Sequence, residues 1–98
     1  AIIDALQRAN PNITILIEKL APAQSALMTG DLLTYFQRMQ NDVETIATNQ
    51  STSNSRVIVV DMVTGFTDAM LADEVHYNQA GAEFIAARYY DALQNILE

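Results

Sequence analysis

The stretch Val57–Asp61, with the sequence Val-Ile-Val-Val-Asp, contains four consecutive β-branched residues and ends at a carboxylate. A second run of similar composition, residues 13–17, reads Ile-Thr-Ile-Leu-Ile. Nearly continuous runs of this kind, with little alternation of polar and apolar residues, are typical of strands buried on both faces of a parallel sheet. We therefore predict two such strands, over residues 13–17 and 57–60.

Helical patterns precede, join and follow these strands. Residues 1–9 have the composition of the end of a helix, which the sequence Asn-Pro-Asn at residues 10–12 stops. Asp31 is a plausible N-cap for the joining helix, and Asn78 for the last one. Apolar stripes support both helices: Leu32, Phe36, Met39, Val43 and Ile46 in the first, and Ile85, Tyr89, Ala92, Leu93 and Ile96 in the second. A helix between two strands predicts parallel pairing with a right-handed crossover.

Two parallel strands do not form a stable sheet by themselves, because a sheet needs at least three strands or extensive packing. Few helices are available to cover both faces of the two predicted strands. We therefore expect residues 1–98 to be the C-terminal part of a larger α/β domain, with a small complete α/β domain as the alternative. The chain begins at Ala1 rather than Met, and we expect residues upstream of it.

Composition and charge exclude several classes of function. The 98 residues include 5 Lys and Arg against 12 Asp and Glu, which gives a net charge of −7. This excess argues against partners such as nucleic acid or an anionic membrane, since both require a cationic surface. The chain has no Cys, so thiol nucleophiles and cysteine-ligated metal sites are excluded. Apolar residues make up 50% of the chain, which predicts a folded core.

The single histidine, His76, lies three residues after Asp73, just before the last predicted helix. In a turn, this spacing can place a carboxylate on the Nδ1–H group of the imidazole and leave Nε2 outward as a base. The pair follows a buried parallel strand, in the region where open α/β sheets bind ligands. By spacing alone, a surface pair or a structural turn remains an alternative to catalysis.

The segment Leu71–Gly81 resembles the last motif of the SGNH (GDSL-type) serine hydrolases, with Asp-x-x-His, then Asn, then an amphipathic terminal helix. Strand Val57–Asp61 and the segments 62–67 and 70–73 are similar to the acetylxylan esterases of carbohydrate esterase family 3. Pro11-Asn12 before the first strand and Ala21-Pro22 after it are also similar, so that the resemblance spans residues 11–97.

The resemblance assigns His76 as the catalytic base, Asp73 as its carboxylate partner and Asn78 as a structural cap. Glu74 and Tyr77 depart from the family pattern, which commonly has Gly after the Asp and Pro after the His. The family's nucleophilic serine and oxyanion-hole residues lie upstream of the region that this chain matches. Gly30-Asp31 is followed by Leu32 and does not match the serine motif, and we interpret the candidates Ser25, Ser51, Ser53 and Ser55 as loop serines.

The expected fold is therefore α/β, a flavodoxin-like three-layer α/β/α arrangement with a parallel sheet, of which residues 1–98 form the C-terminal part. The expected function is serine-dependent ester hydrolysis by a carboxylic ester hydrolase. Its implied substrates are O-acetyl groups on a polysaccharide such as xylan. The alternatives are a non-catalytic α/β fragment or binding module, and a lipase or thioesterase of the same superfamily.

The resemblance also implies the partners and the location. The expected partner is the N-terminal half of the same hydrolase domain, which would supply the nucleophile, and the expected location is secreted or periplasmic. No cofactor is required. A metal cluster of Asp68, Asp73, Glu74 and His76 is not expected, because a second His or a Cys is missing.

Overall fold

The computed structural model describes residues 2–97, so Ala1, with which the first predicted helix begins, lies outside the described residues. Three helices and two strands alternate along the chain. They are α1 (Ile2–Ala9), β1 (Ile15–Lys19), α2 (Gly30–Gln50), β2 (Val57–Asp61) and α3 (Gln79–Leu97). Short 3₁₀ turns at Ser25–Leu27 and Asp68–Met70 follow the two strands. None of the helices described is long and apolar enough to cross a membrane.

The two strands pair in parallel, with Ile15 opposite Val57 and Lys19 opposite Asp61. Helix α2 packs against both strands, and α3 packs against β2. Neighbouring side chains of a strand point to opposite faces of the sheet. Glu18 of β1 accepts a hydrogen bond from Tyr89 of α3, whereas the next residue, Lys19, forms an ion pair with Glu44 of α2. Helices α2 and α3 therefore lie on opposite faces of the sheet. The predicted α/β class with a parallel sheet is therefore confirmed.

Strand β1 is displaced by two residues from its predicted position. The predicted strand covered residues 13–17, whereas the observed strand covers Ile15–Lys19 and includes two charged residues. Pairing sets this position, since β2 begins at Val57 and the ladder begins opposite it. The carbonyl oxygen of Ile13 instead accepts a hydrogen bond from Ser55 Oγ, at 2.5 Å. Strand β1 is half-buried along its whole length, so the predicted burial on both faces is not reached within residues 2–97.

The start and the inner face of α2 also differ from the prediction. Thr29, with extended backbone angles, occupies the N-cap position, so the prediction of Asp31 as the cap is wrong. Asp31 lies instead in the first turn, where a negative charge interacts favourably with the helix dipole. The buried positions of α2 are Gln40 and Ala47, whereas Ile46 of the predicted stripe is 39% exposed. The inward-facing Gln40 donates a hydrogen bond to the carbonyl oxygen of Leu20, just after β1.

Candidate active site

A tight turn at the carboxyl end of the sheet carries the two residues predicted to form a catalytic pair. Leu71 and Tyr77 form an isolated antiparallel bridge that closes this turn at its base. Inside the bridge, the backbone N–H of Ala72 donates to the carbonyl oxygen of His76 at 2.7 Å. The turn therefore has a defined backbone shape, which fixes the direction in which its side chains point.

Asp73 organises the interior of this turn by accepting three hydrogen bonds. Its Oδ1 atom accepts from the backbone N–H groups of Val75 at 2.8 Å and His76 at 2.7 Å. Its Oδ2 atom lies 2.7 Å from Nδ1 of His76. The predicted hydrogen-bond contact between Asp73 and His76 is thus confirmed. The backbone bonds hold the carboxylate in place, so its second oxygen can orient the imidazole.

The electrostatics of the turn favour the ionised carboxylate. Hydrogen bonds from the backbone of His76 and Val75, followed by the imidazole, lower the pKa of Asp73 to about 2. An ionised carboxylate can only accept, so the proton between the two side chains belongs to Nδ1 of His76. The lone pair of the neutral imidazole is then on Nε2, and the His76 side chain is 77% exposed. Chemically, an imidazole oriented and exposed in this way can serve as a general base.

Asn78 joins this turn to the first turn of α3. Its Oδ1 atom accepts from the backbone N–H of Gly81 at 3.0 Å, which is the hydrogen bond of an N-cap. Its Nδ2 group donates to the carbonyl oxygen of Ala69 at 2.7 Å. Its backbone N–H donates to the carbonyl oxygen of Met70 at 3.0 Å. The predicted cap is confirmed. It also anchors the 3₁₀ turn that precedes Asp73 and His76.

Gly81 explains why a small residue follows the cap. A Cβ atom at this position would clash with the carbonyl oxygen of Met70 and press against Cβ of Tyr77. The first of these atoms belongs to the backbone and the second is bonded to it, so neither can move without shifting the backbone. Close approach of α3 to the turn therefore requires glycine here, although its backbone dihedrals are ordinary for a helix.

The two departures from the family pattern have identifiable contacts. The carbonyl oxygen of Glu74 accepts a hydrogen bond from the backbone N–H of Gln24 at 2.8 Å, which ties the turn to the segment after β1. The Tyr77 ring contacts Phe66 edge to face, with ring centroids 5.9 Å apart, and Phe66 contacts Phe84 in the same way at 5.6 Å. Aromatic packing thus restrains the chain where the family commonly has a proline.

Beside the turn, an open cavity of about 530 Å³ lies between the loops that follow the two strands. Its walls come from residues 22–28 and 66–69. Ser25 joins these walls, because its backbone N–H and its hydroxyl donate to Asp68 at 2.8 and 2.6 Å. Hydrogen bonds from the Ser25 hydroxyl and backbone lower the pKa of Asp68. No sequence signal indicated this pair, since its members are 43 residues apart.

Two of the other serines considered as candidates, Ser51 and Ser55, stabilise the opposite end of the sheet, and Ser53 is exposed. Ser51 Oγ accepts from the backbone N–H of Val57 at 2.9 Å, at the start of β2. Ser55 is 1% exposed and bonds to Ile13, while its Oγ accepts from Gln7 of α1 at 3.2 Å. These contacts agree with the structural interpretation of Ser51 and Ser55.

Neither a protein-family model nor a curated protein matches this sequence. Solved structures do match. One is a crystal structure of a carbohydrate esterase family 3 protein from Talaromyces cellulolyticus, with 27% sequence identity and a TM-score of 0.80. The chain is similar to carbohydrate esterase family 3 proteins. Another match is an acetyl esterase mutant, with a serine replaced by alanine, in complex with acetate ion, with 26% identity and a TM-score of 0.81.

Each of these similarities covers 96% of this chain and 44% of the matched chain. The chain therefore spans less than half the length of the carbohydrate esterases that it resembles. The resemblance predicted from the sequence is confirmed, and so is the fold class that it implied. The relatives are carbohydrate esterases, which supports a hydrolase of the esterase type.

Proposed function

We propose that this chain supplies the histidine and the carboxylate of a Ser-His-Asp esterase site. The observation that carries the proposal is the 2.7 Å contact between Asp73 Oδ2 and His76 Nδ1, within a turn that leaves Nε2 accessible. The role of Asp73 is to fix the tautomer of His76 and to stabilise the imidazolium that forms during turnover.

The proposed reaction uses Nε2 of His76 as a proton shuttle. As a serine hydroxyl attacks the ester carbonyl, its proton moves to Nε2 and the carbonyl oxygen becomes an oxyanion. Collapse of the tetrahedral intermediate breaks the bond to the alcohol, which takes the proton from Nε2 as it leaves. A water molecule then attacks the acyl-serine with Nε2 as base, and the carboxylic acid is released with the serine restored. Neither step needs a metal or an organic cofactor.

The serine and the oxyanion-hole donors belong, in this proposal, to a further segment of the same hydrolase domain. The outer edge of β1 supports this inference. The backbone N–H of Ile15 and the carbonyl of Lys19 bond toward β2, so the backbone groups of Leu16 and Glu18 point to the other edge. No strand among residues 2–97 pairs with that edge. A further parallel strand there would satisfy these backbone groups and remove the open edge of β1.

The proposed substrates are O-acetyl esters of a polysaccharide such as xylan. One matched structure is of a carbohydrate esterase, and the other is of an acetyl esterase that holds acetate. An insoluble or cell-wall polysaccharide would be met outside the cytoplasm, so we also propose a secreted or periplasmic location. A lipase or thioesterase of the same superfamily would instead prefer long acyl chains over acetate.

The test compares the complete protein with its His76→Ala variant on p-nitrophenyl acetate and on acetylated xylan. The variant should lose turnover because His76 is the single histidine of the sequence and therefore its one imidazole base. Added imidazole should restore part of the rate, which a folding defect would not allow. A folded variant that keeps its full rate would leave Asp73 and His76 as a structural turn. Faster hydrolysis of p-nitrophenyl palmitate than of the acetate would favour the lipase alternative.

A further inference from the structure

Hydrogen bonds join the loop after β2 to the segment after β1 at two neighbouring positions. The backbone N–H of Gln24 donates to the carbonyl oxygen of Glu74, inside the Asp73–His76 turn, at 2.8 Å. The next residue, Ser25, donates its backbone N–H to Asp68 Oδ1 at 2.8 Å and its hydroxyl to Oδ2 at 2.6 Å. The Ser25–Asp68 pair is therefore next, along the chain, to the bond that holds the turn from outside.

The Ser25–Asp68 pair fixes the backbone of the segment after β1. Ser25 begins the short 3₁₀ turn Ser25–Leu27, which receives no side-chain cap from Gln24. Asp68 instead accepts from the first N–H group of this turn, across 43 residues of sequence. Its second oxygen accepts from the Ser25 hydroxyl, and hydrogen bonds to an ionised carboxylate are shorter and stronger than those between neutral groups. Asp68 thus holds Ser25 in one place, and with it the adjacent N–H of Gln24.

The turn depends on this outside contact because its internal hydrogen bonds set its shape but not its place. All three hydrogen bonds that Asp73 accepts come from within the turn. The side chains of Asp73 and His76 are 54% and 77% exposed, so little packing restrains them. Among residues 2–97, the bond from Gln24 is the one hydrogen bond that joins positions 72–76 to a segment outside the loop 62–78. The place of the imidazole therefore depends on where Gln24 is held.

We propose that Ser25 and Asp68 are positioning residues of the esterase site. Through Gln24 they hold the turn so that Nε2 of His76 lies within reach of the nucleophilic serine. The inference rests on the proposed function, to which it adds the groups that set its geometry, and neither residue touches the ester or exchanges a proton. Placement matters because reacting atoms must lie about 3–3.5 Å apart, and a displacement of about 1 Å can lower the rate by roughly 10²-fold.

The experiment measures kcat and KM of the complete protein on p-nitrophenyl acetate for Ser25→Ala and Asp68→Ala. Ser25→Ala removes the hydroxyl bond and keeps the backbone bond to Oδ1, whereas Asp68→Ala removes both bonds. We expect kcat to fall by about tenfold in the first variant and by more in the second, while KM changes by less than about twofold. The conservative Ser25→Thr variant keeps a hydroxyl and should keep kcat within about twofold of the parent value.

Two further measurements separate placement of the turn from a general loss of structure. The ¹⁵N shifts of the His76 ring should show the parent tautomer in each variant, because the contact with Asp73 lies within the turn. Amide exchange at Gln24 should become faster, because the bond that this N–H donates opens more often. Asp42→Ala and Ser53→Ala, at exposed positions of α2 and of the loop after it, are the matched controls and should alter none of these values.

A lower kcat with the parent KM and tautomer, retained in Ser25→Thr, supports the positioning role. Folded Ser25→Ala and Asp68→Ala variants that keep the full kcat overturn it, even if they melt at a lower temperature, and leave the esterase proposal standing. A lower kcat together with the other tautomer of His76 also overturns it, because the pair then acts on the contact with Asp73. An unmodified protein that hydrolyses no ester overturns the proposed function itself, and this inference with it.

Discussion

Replacing Asp73 by Asn tests the proposed role of the carboxylate while preserving the turn. The side-chain oxygen of Asn can still accept from the backbone N–H groups of Val75 and His76, which lie 2.8 and 2.7 Å from Oδ1. Only the atom facing His76 Nδ1 changes, from an acceptor to an NH₂ donor. The variant should therefore stay folded, because the backbone hydrogen bonds that shape the turn are retained.

The effect on kcat should be much larger, because the substitution changes the atom that faces Nδ1 of His76. An NH₂ group 2.7 Å from Nδ1 cannot accept its proton, so the imidazole shifts to the tautomer with hydrogen on Nε2. That nitrogen then has no lone pair for the proton of the nucleophile. In serine-protease triads the same substitution costs about 10⁴-fold in kcat, and we expect a loss of up to that order here.

The assay is kcat/KM of the complete protein on p-nitrophenyl acetate, together with the ¹⁵N shifts of the His76 ring, which report the tautomer. Asp91→Asn is the matched control, since it makes the same chemical change on the exposed surface of α3. A folded Asp73→Asn variant whose rate stays within about twofold of the parent would refute the triad assignment. A lost rate with an unchanged tautomer would refute the mechanism given for the loss.

Three further predictions concern the framework. Gly81→Ala should lower the free energy of unfolding by about 1–2 kcal/mol in chemical denaturation, because the clash with Met70 outweighs the better helix propensity of Ala. Ser55→Ala should lower it by about 1–3 kcal/mol in the same measurement, because the half-buried Ile13 carbonyl and Gln7 amide each lose a bond to the buried hydroxyl, whereas exposed Ser53→Ala should have little effect. The Asp73 carboxyl should titrate near pH 2 by NMR instead of its usual 3.8. Because the pKa of this carboxyl is lowered in the folded state, the carboxylate stabilises the fold above pH 3.8, and this contribution is lost as the pH falls toward 2. A titration midpoint near pH 3.8 would contradict the described hydrogen bonds.

Local sequence patterns predicted those features that depend on neighbouring residues. The Asp-x-x-His spacing predicted the contact of Asp73 Oδ2 with His76 Nδ1 because a turn over three residues can bring these atoms together. Asn78 was recognised as a cap for the same reason, since its bond to Gly81 spans only one helical turn. Strand β2 was predicted to within one residue from its β-branched composition.

Predictions failed where distant segments decide the outcome. The position of β1 follows from its pairing with Val57. The strand can include two charged residues at its end because Glu18 contacts α3 and Lys19 contacts α2. Burial, with the hydrogen bond to this Glu18, raises the pKa of Tyr89 to about 12, which no local pattern indicated.

By itself, the sequence determined the alternation of strands and helices and the pairing of Asp73 with His76, because both depend on chain-local periodicity and turn geometry. Only the tertiary structure decided which polar residue α2 turns inward and which loops form the cavity at the sheet edge. The buried Gln40 bonds to the carbonyl of Leu20, 20 residues away, and Ser25 bonds to Asp68 across 43 residues. Such contacts form when the strands pair and bring the loops after them to one edge, and no pattern within either segment encodes them.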